Sequence, residues 1–104
     1  MAEKDINALI GEAWSAHYQG QHDVAIEKFS RILSQEPDNI DANWGLGLSY
    51  RSLNQNEAAR EIFLKIKQLI ADEVAKETDT APGRYVMLNR MVEQQLQFLE
   101  QFIR

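Results

Sequence analysis

The apolar positions of this chain fall into stripes of helical period separated by short polar breaks. Ile6, Leu9, Ile10, Ala13 and Trp14 recur at spacings of three and four, which places them on one face of a helix. The stretch "YQGQHD" interrupts that stripe. Gly20 within it is free to take the left-handed conformation that closes a helix, and His22 or Asp23 stands near the start of the next. Ala25, Ile26, Phe29, Ile32 and Leu33 form a second stripe, with Glu27, Lys28 and Arg31 pointing outward. Pro37 cannot donate a backbone hydrogen bond, and the adjoining Asp38 and Asn39 carry side chains that can cap a following helix.

The pattern then begins again. At an offset of 34 residues, positions 6–37 and 40–71 align without a gap and share nine identities in 32, where ordinary composition gives roughly two. Each copy predicts a pair of helices. In the second, Asn54 replaces the turn glycine, and Asn tolerates the same left-handed conformation. Ala71 replaces the proline, so the stripe of Ile62, Phe63, Ile66, Leu69, Ile70 and Val74 is expected to continue one helix to about Glu77. "TDTAPG" at 78–83 breaks it. A final helix follows, with Tyr85, Leu88, Met91, Val92, Leu96, Phe98, Leu99, Phe102 and Ile103 apolar. At about twenty residues it would extend roughly 30 Å and overhang the first helix of either copy.

This unit length, with Ala13, Gly20, Ala25, Phe29, Ile32 and Pro37 in one copy and Leu46, Gly47, Tyr50, Ala59, Phe63 and Ile66 in the other, resembles the tetratricopeptide repeat family over residues 6 to about 71. The resemblance implies an all-α fold, a right-handed α-α superhelix of two helix-turn-helix repeats plus a long C-terminal helix. The whole of 1–104 would be a single domain, with repeat one at 6–39, repeat two at 40–77 and a capping or dimerisation helix at 82–104. Small residues where the helices cross would leave room for the Phe wedges. Glu12 and Ala16 depart from the family's large apolar residues, which predicts a wetter outer face on the first helix, suited to the start of an array.

In the family, the first helices of successive repeats line a concave groove that receives a peptide or a partner helix. Carried over, that role falls on Ile10, Trp14, Tyr18, Trp44, Leu48 and Arg51, with Gly11 and Gly45 as the floor where another backbone could come close. The lysine, asparagine and arginine clamp by which chaperone-binding members grip a C-terminal carboxylate is missing, since Ile10, Trp14, Trp44 and Gly45 stand at its places. Arg51 and His17 are left to meet an acidic group at the groove's edge. The expected function is a non-catalytic module that binds a protein or peptide. The alternative is a homodimeric scaffold joined through Phe98 and Phe102, and a third arrangement lays the final helix across its own groove.

Composition narrows this picture. A chain of 104 residues, 44% hydrophobic and 26% charged, is an ordinary globular domain with room for a modest core. It has no apolar run long enough for a membrane span and no secretory leader pattern at its start, so the cytoplasm is the expected location. Without cysteine there are no disulfides or thiolate sites. A formal net charge of −5 opposes nucleic acid as a partner. His17, His22, Asp23 and Glu27 have the residue types of a metal or acid–base site, but the histidines lie five apart across a turn and no HExxH-like element supports them. "GLG" at 45–47 lies in a helix and follows no strand, which makes it a poor phosphate loop. On the final helix, Arg84, Arg90 and Arg104 are opposed by Glu93 and Glu100, which disfavours a membrane surface. No cofactor, metal or catalytic residue is expected.

Overall fold

The computed structural model describes residues 5–76 and 85–103. Five helices follow one another in it: α1 (Ile6–Tyr18), α2 (His22–Gln35), α3 (Ile40–Ser52), α4 (Asn56–Lys76) and α5 (Val86–Glu100). The described residues include no strand. The break expected at 78–83 lies outside the described residues, as do Arg84 and Arg104.

Local chemistry sets the helix ends. The Asp5 carboxylate accepts from the Asn7 N–H at 3.4 Å, and the Asn39 side chain accepts from the Ala42 N–H at 2.9 Å, so α1 and α3 both start on a side-chain cap. Gly20 and Asn54 occupy the same place in the two copies, and both take positive φ, 80° and 60°. One residue accepts that region for lack of a Cβ, the other as a short polar side chain. α2 stops two residues short of Pro37, whereas α4 meets no such stop at Ala71 and runs for 21 residues. α5 is shorter than its apolar pattern predicts. It has 15 residues, roughly 22 Å, against 13 for α1 and α3, so the expected overhang nearly disappears. Its end tightens because the Gln101 and Phe102 N–H groups donate to carbonyls only three residues back, Phe98 and Leu99, at 3.3 and 2.9 Å.

Two clusters form the core. Ala13, Ala16, Ala25, Phe29, Ile32, Ala42 and Leu46 make the first, and Ala59, Phe63, Ile66, Ile70, Val92 and Leu99 the second. Tyr50 and Ile62 pack against both and join them. Phe29 and Phe63 are fully buried, each contributing on the order of 2–3 kcal/mol through lost contact with water. Glycine makes room for them. A Cβ at Gly45 would fall 2.2 Å from Phe29 Cζ, and one at Gly47 would fall 2.7 Å from Phe63 Cε1. Gly45 is therefore not a groove floor open to another backbone, because the Phe29 ring of the preceding unit already fills the space it leaves. Ala16 also departs from expectation. It is 5% exposed within the first cluster, and neighbouring Glu12 is half-buried and pairs with Lys28 of α2 at 3.5 Å. The first helix is thus drier there than its residue types predict, since α2 and α3 close over a side chain as small as alanine.

α5 seals the far side of the second cluster. Val92 and Leu99 are buried, with Tyr85, Leu88, Leu96 and Ile103 packed around the same cluster. An exposed end of a repeat stack must be covered in some such way. The turn between α2 and α3 is tied from two sides: buried Asn43 donates to the carbonyls of Pro37 and Asn39 at 3.2 and 2.9 Å, and Lys65 of α4 donates to that of Pro37 at 2.7 Å.

Candidate functional site

Side chains from α1, α3 and α5 meet around one cleft of about 370 Å3. Its lining is His17, Leu48, Arg51, Ser52, Phe98 and Phe102, with Asn54 and Asn56 from the turn into α4. His17 and Arg51 hold the same position in the two copies, 34 residues apart, so the repeat itself delivers two nitrogen-bearing side chains to one place. Each is then fixed differently. Arg51 Nη1 donates to Gln95 Oε1 at 2.6 Å, and its guanidinium lies 3.8 Å above the centre of the Phe98 ring. Phe98 and Phe102 stand 5.1 Å apart and form the α5 wall.

His17 is held from the other side. Its Nδ1 lies 3.1 Å from Ser49 Oγ and 3.2 Å from His22 Nδ1. Burial, and secondarily the charge of His22, lower its pKa from the ordinary 6.5. The imidazole is accordingly neutral at pH 7. The two histidines touch because the turn through Gly20 brings the first residue of α2 back beside the last turn of α1. Asp23 and Glu27 do not join them: Asp23 is exposed, and Glu27 pairs with Arg31 at 3.1 Å. Among the described residues, no group of three or more His, Asp or Glu is arranged to hold a metal.

The six positions carried over to a groove fall into three settings. Ile10 is half-buried against the first core cluster. Trp14 packs edge-on to Phe29 at 5.2 Å, donates its indole N–H to Asp41 Oδ1 at 3.0 Å, and stacks on Tyr18 at 5.7 Å. Tyr18 is 78% exposed, so the outer surface of this pair is open. Trp44 lies against Phe63 at 5.5 Å and, like Leu48, is half-buried on the second cluster. Only Leu48 and Arg51 of the six line the cleft itself. α5 walls that cleft and leaves Tyr18 uncovered, so it is not laid across the face that Trp14 and Tyr18 present.

Several members of the cleft escaped sequence reasoning. Asn56 carries no pattern that marks it, Asn54 was marked only as a turn residue, and Gln95, which holds Arg51 from behind the lining, was not marked at all. Phe98 and Phe102 were legible only as surplus carbon on a helix, since their opposition to Arg51 depends on how α5 docks.

No helix of the described residues is long and apolar enough to cross a membrane. A family model of the tetratricopeptide repeat matches residues 16–76, more than half of the 104. No curated protein and no solved structure matches the chain at a significant level.

Proposed function

Because the chain belongs to the tetratricopeptide repeat family, whose members serve as protein–protein interaction modules, we propose that it is non-catalytic and holds a segment of another polypeptide against α1 and α3. One observation carries this reading: Tyr18, 78% exposed, is stacked on a Trp14 that is itself fixed by Phe29 and Asp41. A rigid aromatic surface left facing water supplies large contact area at little entropic cost, which is the character of a binding anchor. Leu48 and Arg51 extend the surface toward α5.

The test follows from which side chains the core can spare. Trp14 and Trp44 each pack on a core phenylalanine, so truncating them to Ala would cost on the order of 2 kcal/mol or more and confuse binding with folding. Leu48 is half-buried on the second cluster as well, so Tyr18→Ala, at a side chain 78% exposed, is the cleaner variant. Peptides selected by the native chain should lose affinity for it while its helical circular dichroism and unfolding midpoint stay unchanged. Equal affinity for native chain and Tyr18→Ala would reject this surface.

A second reading, a homodimer through α5, is favoured by the spacing of exposed apolar residues. Met87, Met91, Phe98 and Phe102 follow at intervals of four, seven and four and are 63%, 37%, 38% and 57% exposed, two apolar pairs separated by Gln94 and Gln95. Under it, light scattering gives a dimer that Met87→Asp with Met91→Asp dissociates. A monomer at high micromolar concentration removes it.

A further inference from the structure

The cleft sets two chemistries against each other. Leu48, Phe98 and Phe102 offer carbon, while Arg51, Asn54 and Asn56 offer N–H donors. The lining holds no carboxylate, although the chain as a whole carries a formal charge of −5. Arg51 is also pre-set. The Gln95 bond uses one of its five donors and the Phe98 ring holds its plane, so the rest of the fork is free, and among the described residues it has no carboxylate partner. An immobilised guanidinium with spare donors, beside an apolar wall, is complementary to a carboxylate carried next to a large apolar side chain. A single arginine in an acidic chain is a poor match for a polyphosphate backbone. A volume of about 370 Å3 lies at the low end for binding pockets, enough for one or two residues of a peptide.

Resting on the reading of α1 and α3 as a polypeptide-binding surface, we infer that this cleft selects an Asp or Glu side chain flanked by Leu, Ile or Phe in the bound segment. The carboxylate sits on Arg51, with Asn54 and Asn56 as further donors, and the apolar neighbour lies between Leu48 and the Phe98–Phe102 pair. The site is separate from Ile10, Trp14, Trp44 and Gly45, where a terminal-carboxylate clamp would stand.

The test uses the full chain and short random peptides displayed between fixed flanks, so that no free C-terminal carboxylate is presented. Enriched sequences should carry an acidic residue beside a large apolar one, and changing that Glu to Gln should weaken binding roughly tenfold. Arg51→Met should erase the difference between the Glu and Gln peptides. Asn56→Asp should weaken the Glu peptide selectively, and the fold should survive it, because Asn56 opens α4 and a negative charge there suits the helix dipole. Enrichment of apolar peptides without an acid would overturn the inference and leave the binding surface standing. Unchanged Glu-peptide affinity in both Arg51→Met and Asn56→Asp would do the same. Failure to enrich any sequence would overturn the surface and the inference together.

Discussion

Gly11 and Gly45 hold the same place in the two copies of the unit and do different things. A Cβ added at Gly11 would meet nothing within 4 Å, whereas one at Gly45 would be driven into Phe29. Among the described residues nothing packs on the face around Gly11. The second copy receives the Phe of the first. The same contrast recurs at the nitrogen-bearing position, where His17 leans on Ser49 and His22 while Arg51 leans on Gln95 and Phe98 of the terminal helix. A repeated sequence thus specifies a repeated backbone, and the neighbour on each side decides what each copy's side chains are for.

The largest test of that contrast is Gly45→Ala. Phe29 is fully buried and cannot yield, so overpacking should cost about 3 kcal/mol, read as a lower midpoint in urea unfolding. Adding Phe29→Leu should recover part of the loss, since the two sites share one contact, and strict additivity would contradict the wedge. Gly47→Ala is milder because its closest approach, to Phe63 Cε1, is 2.7 Å. About 1–2 kcal/mol is expected from the same measurement. Gly11→Ala reverses the sign. In an exposed helical position with open space around it, alanine should stabilise by about 0.5–1 kcal/mol, and a loss at Gly11 would mean that the first copy is covered after all.

The smallest effect is pH dependence at His17. Its pKa is lowered on folding, so the unfolded chain takes up the proton first. Stability is complete above 6.5 and falls as pH drops from 6.5 toward the lower folded value. The groups facing it are the Trp14 and Tyr18 rings of α1, His22 from α2, Ser49 from α3 and Arg51 across the cleft, none of which is a carboxylate that would reward the charged form. Urea midpoints at pH 7.5 and 5.5 should differ more for the native chain than for His17→Gln. An equal difference would place the titration elsewhere.

Much of the fold was legible because the forces that make it are local or periodic. The stripes through Phe29 and Phe63, the left-handed turns at Gly20 and Asn54, and the unequal lengths of α2 and α4 all follow from residue types and spacing. The candidate site was legible only in part. Trp14, Tyr18 and Leu48 were visible as carbon on leading helices, but the division of Trp44 toward Phe63 and of Trp14 toward Phe29 was not, since both lie on the same predicted face. Gly45 was misread for a related reason: an absent side chain records that something comes close, without recording what.

Sequence alone determined the two-helix unit, its 34-residue recurrence and the need to cover its open end, because helical periodicity and the hydrophobic cost of an exposed face act within or between adjacent segments. Only the tertiary structure decided that α5 brings Phe98 over Arg51, that His17 meets His22, and that the two form parts of one cleft wall or its support. Those contacts depend on the angle and register at which helices dock. Many side chains jointly set that geometry through close packing, and no short stretch of the chain encodes it by itself.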